Sequence, residues 1–437
     1  MSAASYLSAH GVEAAVAKAV ASVCTRRPED PIGDIGKQLI ALSEKQAPPA
    51  YIGYVGCFTN VGCADPFEGS LGGVPHDRTQ IGQGIRTLQI STSGALTLGG
   101  VIAAASSLSN PSYLCLTPAA APKHLYAVCE MDEKTASVAA FAISGASAKL
   151  IGEPQLTKGG YPCMVNQAVS PVTGEAYALV CNYGGGSVTA FTINADGSLT
   201  EHQIVAHEGA SVDKSRQESP HCHHVAVRGQ YAYVVDLGID AVITYKLHAE
   251  GPSGPLLTKV SRYDVTPAGY GPRSLSLHPT NEALAALSLE MAAKVRLVKL
   301  LPDGGVETVC EVDLNPPEWP KDGEVLGKYN HGKWASDVVW GKSGKFLYAA
   351  SRLINNLCVF AFDETTSSLT LVQRIPSGGA TPRNLCLSPD GTLLLCCNQH
   401  GHNIVSFAVE SATGQLRAVD KVEVPLAACV KMFAASV

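Results

Sequence analysis

The sequence predicts an all-β fold: a seven-bladed β-propeller closed by both of its termini and preceded by a small α-helical hairpin. Three observations carry this expectation. A proline-led strand recurs about every 46 to 63 residues between Asn110 and Pro425, a period in the propeller range. Each copy is followed by a second, more apolar strand that ends in a polar residue. Residues 1–48 carry a three- and four-residue apolar spacing that 49–437 lacks, which sets the boundary between a helical segment and the propeller.

In the first segment Val12, Val16, Ala19, Val20 and Val23 line one helical face, and Ile32, Ile35, Leu39 and Leu42 line a second. Asp30 is placed to cap the second helix, and Pro31 suits its first turn, where a missing N–H costs nothing. Two short amphipathic helices cannot bury both stripes alone. The hairpin is therefore expected to form a homodimer through residues 1–48, with packing on the propeller as the alternative.

The leading strands read Asn110-Pro111-Ser112, Tyr161-Pro162-Cys163, Gly271-Pro272-Arg273 and Thr381-Pro382-Arg383, with variants at Cys222-His223 and Ala335-Ser336. Proline is tolerated at the first residue of a strand. The second strands end at Glu130, Asn182, Asp236, Glu290, Arg352 and Asn398, and a third and fourth strand complete each unit of four. Six units are visible. The seventh combines Tyr51–Gly56, Gly84–Leu88 and Gly94–Thr97 with Ala428–Phe433 from the other terminus, which leaves no long free edge.

Composition fits this architecture and narrows the partners. Hydrophobic residues make up 46% and charged residues 16%, with Gly 42 and Pro 26, as expected for short buried strands joined by tight turns. A formal charge of −6 offers no basic footprint for nucleic acid or anionic membrane. The 14 cysteines lack a CxxC pair and sit in apolar runs, which points to reduced, buried thiols. No signal peptide, bilayer span or peroxisomal address is expected, so the default compartment is the cytoplasm.

Innermost strands surround the channel of a propeller, so equivalent positions converge on one mouth. The residue after the leading position is Ser112, Cys163, His223, Arg273, Ser336 or Arg383. For Glu130, Asn182, Asp236 and Asn398 the plainer reading is a solvated strand end or an inter-blade hydrogen bond. His223, Arg273, Glu290 and Arg352 instead combine cations with an acid-base pair, a set that binds an anion and moves a proton. His221, Cys222, His223 and His224 could suggest a metal, but the sequence offers no spaced acidic or thiol partner, and neither metal nor cofactor is expected. Gly184-Gly185-Gly186 reads as a hairpin turn, since no Lys-Ser/Thr follows, and no Gly-x-Ser-x-Gly elbow is present.

Arg216-Gln217-Glu218-Ser219-Pro220-His221-Cys222-His223, Asp236-Leu237-Gly238, Gly271-Pro272-Arg273, Ser336-Asp337, Ser351-Arg352 and Thr381-Pro382-Arg383 resemble the lactonase family of seven-bladed propellers. That family holds bacterial-type 6-phosphogluconolactonase and fungal carboxy-cis,cis-muconate cyclase. The resemblance implies His223, Arg273, Glu290 and Arg352 as catalytic residues; His221, Arg383, Asp337 and Asn398, which line the same mouth, are expected as substrate contacts. Cys222 stands where the family usually has proline, and Met291-Ala292-Ala293 after Glu290 is unusual. Tyr6-Leu7, the turn Arg26-Arg27-Pro28-Glu29-Asp30-Pro31-Ile32 and Leu39 resemble docking-and-dimerisation hairpins of the dumpy-thirty and kinase-regulatory-subunit type. Their dimers receive an amphipathic helix of an anchoring protein.

The resemblance implies hydrolysis of a sugar-acid lactone, with 6-phosphogluconolactone favoured. His223 would be the base, and Glu290 would orient it or protonate the leaving alkoxide. A muconate-type lactonising cyclase is the enzymatic rival. A non-catalytic scaffold, tethered through the hairpin in a ciliary or flagellar axoneme, is the other class. The segment from Asn315 to Trp334 is expected to cover the mouth.

Overall fold

The computed structural model describes residues 12–46, 49–59, 81–102, 108–248, 250, 251, 253–317 and 334–435. Tyr6, Leu7 and most of the segment between Asn315 and Trp334 lie outside the described residues.

Seven antiparallel sheets form the ring. The innermost strands of the first six blades are Leu114–Leu116, Pro162–Val169, Cys222–Arg228, Pro272–Leu277, Ala335–Trp340 and Pro382–Leu387. Second strands are buried along nearly their whole length, Leu393–Asn398 at every residue, because both faces of a blade pack on neighbouring blades. Between the second and third blades, for example, Tyr177, Leu179 and Cys181 share a core with Val225, Val234 and Ile243. Outer strands such as Leu199–Ala206 alternate toward solvent.

The last blade is closed by both ends of the propeller, as the sequence indicates. Ala427–Ala434 pairs with Tyr51–Cys57, which continues to Ile85–Ile90 and Leu96–Val101. The closing strand buries Ala428, Cys429, Val430, Met432 and Phe433. The first blade departs from the four-strand expectation. Its outer strand is split into Ser147–Leu150 and Gln155–Leu156, both paired with Ser137–Ser144. Gly152 with φ of 64° and Pro154, which has no N–H to donate, interrupt it.

At the N-terminus, α1 (Val12–Arg26) and α2 (Pro31–Gln46) form the hairpin. The Asp30 carboxylate accepts the Gly33 N–H at 2.9 Å, the expected cap, and Arg26 pairs with Asp34 across the turn. Ala19 and Val23 are buried. Val16, Val20 and Ile32 remain 37%, 40% and 83% exposed, so the described helices leave part of the apolar stripe uncovered. No described helix is long and apolar enough to cross a membrane.

Candidate active site in the propeller mouth

One backbone turn, repeated in every blade, builds the mouth. Shortly before each inner strand lies a residue whose carbonyl accepts an N–H from just past the end of the second strand. These bonds run from Phe58 to Leu426, Glu130 to Asn110, Tyr183 to Tyr161, Leu237 to His221, Glu290 to Gly271, Arg352 to Trp334 and Gln399 to Thr381, at 2.7–3.1 Å. The acceptor residue has positive φ at Asn110, Tyr161, Gly271, Thr381 and Leu426. This conformation is costly for non-glycine residues and is kept where the surroundings over-determine it. A side chain at Gly271 would also meet Met291 Sδ at 2.7 Å, so the turn before Arg273 needs glycine twice over.

This bond separates two registers that the sequence reading merged. Asn182, Asp236, Ser351 and Asn398 sit opposite the first residue of the inner strand, whereas Glu130, Glu290 and Arg352 lie one residue further on. A shift of one residue turns the side chain to the other face. Asn398 is accordingly buried in its own blade, donating to Ser377 O at 3.0 Å and Asn403 Oδ1 at 2.9 Å. Both N–H groups of this amide, an expected substrate contact, are taken up within the blade. The mouth ring proper is Phe58, Glu130, Tyr183, Leu237, Glu290, Arg352 and Gln399.

Below it lie the residues one place inside each inner strand. Cys163, His223, Arg273 and Arg383 line a small cavity together with Tyr113, His224, Asp337 and Asn384. Glu290 Oε2 lies 2.9 Å from Arg273 Nε and 3.4 Å from Arg352, and its Oε1 accepts from Arg216 at 2.8 Å. The Arg273 Nε–H is not aimed at the carboxylate, so that contact is an ion pair without a well-formed hydrogen bond. Burial alone would raise the Glu290 pKa. Arg352, Arg216 and Arg273 together outweigh burial and hold the carboxyl below its usual value. Glu290 is thus a carboxylate held among three guanidiniums.

His223 is driven the other way. Burial, then Arg273, Arg383 and Arg352, push its pKa well below the ordinary imidazole value, so it faces the cavity as a neutral base. On the other side of the ring, Arg383 reaches Gln399 Oε1 at 3.1 Å, lies over the Phe58 ring at 5.1 Å and stands 3.9 Å from Glu130. Ser112 Oγ donates a hydrogen bond to Glu130 Oε2. Burial raises the Glu130 pKa, with Arg383, Ser112 and Arg273 opposing it incompletely.

The other expected contacts are partly committed. Asp337 lines the cavity, but its Oδ2 accepts from Asn384 Nδ2 at 2.8 Å and Leu385 N at 3.0 Å. His221 stacks on Tyr183 at 4.3 Å and engages Tyr183 O through Nδ1 at 2.9 Å. It braces the mouth wall and is not among the cavity-lining residues. Arg216 was not singled out from sequence as a site residue, since it lies in a loop outside the repeat. It bonds Glu290 and Tyr183 and covers Trp334 at 4.7 Å.

The histidine run also finds partners that spacing did not reveal. Cys222, His207 and Asp236 bring their ligand-type atoms within 4.8 Å of one another. His207 Nδ1 lies 2.7 Å from Asp236 Oδ2, and Cys222 Sγ lies 3.3 and 3.4 Å from those two atoms. Burial and the Asp236 charge push the thiol pKa well up, so these contacts are those of a hydrogen-bonded thiol. Asp236 Oδ1 accepts the His221 and Gly238 N–H groups at 2.7 and 2.9 Å, which ties the network to the mouth turn.

A family model described as "Lactonase, 7-bladed beta-propeller" matches residues 53–432. The chain is 28% identical over 390 residues to the 6-phosphogluconolactonase of Bacillus subtilis, covering 88% of this chain and 98% of that protein. It is 27% identical over 345 residues to the 6-phosphogluconolactonase of Formosa agariphila, covering 77% and 91%. A periplasmic gluconolactonase from Pseudomonas aeruginosa superposes with a TM-score of 0.72 at 26% identity, covering 88% and 99%. With this match over most of its length, the chain belongs to the lactonase family of seven-bladed β-propellers.

Proposed function

We propose that the protein hydrolyses an anionic sugar-acid lactone at this mouth, with 6-phosphogluconolactone as substrate. The observation that carries the reading is a neutral imidazole, His223, beside the buried guanidiniums of Arg273 and Arg352 and the partly buried one of Arg383, with Glu290 ionised among them. In a protein with a net charge of −6, this local excess of cations favours an anion. The guanidiniums hold phosphate or carboxylate oxygens and stabilise the oxyanion that forms as water adds to the carbonyl. His223 takes the proton of that water. The test is hydrolysis of freshly made 6-phosphogluconolactone compared with glucono-lactone. The reading requires a rate above spontaneous hydrolysis and a preference for the phosphorylated ring. No rate above background would overturn it, and lactonisation of a muconate-like acid would transfer the same groups to a cyclase.

A second reading concerns the hairpin. Val16, Val20 and Ile32 stay exposed on the described helices, which supports self-association into a homodimer able to dock an amphipathic anchoring helix, as in an axonemal scaffold. Light scattering of the full chain against residues 49–437 tests it. Equal oligomeric states for the two would remove the dimer.

A further inference from the structure

We propose that Arg216 is a positioning residue of the site, a clamp that joins the imidazole side of the mouth to its guanidinium side. This role rests on the lactonase reading above and falls to a side chain outside the repeated ring.

The mouth ring has a polar gap at its third blade. That blade contributes Leu237, which is buried and offers no side-chain hydrogen bond to the flanking ring members Tyr183 and Glu290. Arg216, from the segment before Cys222, bonds both flanks through one nitrogen: Nη2 donates to Tyr183 Oη at 3.2 Å and to Glu290 Oε1 at 2.8 Å. Its guanidinium also lies over the Trp334 ring at 4.7 Å, so one side chain touches the second, fourth and fifth blades. The two hydrogens of Nη2 diverge in the fixed plane of the guanidinium, a geometry that a lysine ammonium on its flexible stem does not reproduce.

Both bonds bear on groups that the reaction uses. The Tyr183 ring meets that of His223 edge-on at 5.7 Å and stacks on His221 at 4.3 Å, so holding its hydroxyl fixes the wall behind the base. By occupying Glu290 Oε1, Arg216 leaves Oε2 to face Arg273 Nε at 2.9 Å and Arg352 at 3.4 Å. The Arg216 side chain is 11% exposed and is not among the residues lining the cavity, so it acts through these neighbours rather than on the substrate.

The segment that carries Arg216 is itself pinned. Gln217 is fully buried; its Nε2 donates to Leu237 O at 2.9 Å and its carbonyl accepts from Ser211 N at 2.9 Å. Ser211 Oγ donates to Asp240 Oδ2 at 2.6 Å, and Asp240 Oδ1 accepts the Gly271 N–H at 2.7 Å, in the turn before Arg273. The guanidinium is therefore delivered from a backbone tied to the same turn that sets Arg273, as the support of a precise site requires.

The test is lactone hydrolysis by the full chain and by its Arg216→Met, Arg216→Lys and Tyr183→Phe variants, at a temperature where circular dichroism shows each protein folded. Arg216→Met keeps the apolar stem and removes both bonds. It should lower kcat by about 10²-fold, the effect of a misplacement of about 1 Å, and leave KM unchanged. Arg216→Lys keeps the charge beside Glu290, and with it the fold, and should show the same split with a smaller loss. Tyr183→Phe should lower kcat on its own and add nothing to Arg216→Met, because the bond it removes is already gone. Wild-type kcat in both Arg216 variants, a change confined to KM, or additive losses in the double variant would each overturn the clamp. A wild-type protein with no rate above spontaneous hydrolysis would instead remove the lactonase reading, and the clamp with it.

Discussion

Replacing Glu290 with glutamine removes one charge and leaves three buried cations facing one another. The Glu290 side chain is 2% exposed, and those of Arg273, Arg352 and Arg216 are 5%, 6% and 11% exposed, so solvent screens the change weakly. Breaking a buried ion pair by removing one partner costs about 3–5 kcal/mol, and one carboxylate here serves three partners. The expected loss is therefore near the top of that range. Urea unfolding is the appropriate assay, with each transition followed separately because a ring of this length need not unfold in one step. Activity should fall in parallel by about 10²-fold, since displacing a catalytic group by about 1 Å is enough for that. Added inorganic phosphate should restore more stability to the variant than to wild type, by supplying the missing negative charge. A variant within about 1 kcal/mol of wild type would refute the charge-coupled cluster.

Three further outcomes follow from the geometry. Because the folded pKa of His223 is depressed, its base form survives as pH falls through the ordinary value of about 6.5, so the acid limb of kcat/KM should lie well below that; a limb at 6.5 or above would contradict a buried neutral base. Removing residues 428–437 should abolish the cooperative unfolding of the ring, because most of the strand that closes on Tyr51–Cys57 is lost; an unchanged thermal transition would refute closure by both ends. Asn398→Ala should cost about 1–3 kcal/mol by leaving the buried partners Ser377 O and Asn403 unsatisfied, and KM for the lactone should not change.

The ring and its closure were legible because strand alternation repeats in every unit and a proline-led start in four of them, down to the placement of Ala428–Phe433 beside Tyr51–Gly56. His223, Arg273, Glu290 and Arg352 were legible for the same reason, since a repeat maps equivalent positions onto one mouth. What the repeat could not resolve was a single residue of register. Asn398 and Glu290 both end a second strand in sequence, but only the N–H bond to the residue before the inner strand separates the inward-packed position from the mouth position. Arg216 was hidden because it belongs to a loop with no counterpart in the other units. The convergence of His207 and Asp236 on Cys222 depends on chain segments meeting in space, which spacing along one strand does not encode.

The most direct test of the account is the rate of 6-phosphogluconolactone hydrolysis by wild type and by Arg273→Ala, measured against the spontaneous rate. The mouth described above requires wild type to exceed the spontaneous rate and the variant to lose about 10²–10³-fold in kcat, the scale of removing one oxyanion donor. Equal rates for the two proteins would place any lactone chemistry outside the arginine ring around Glu290.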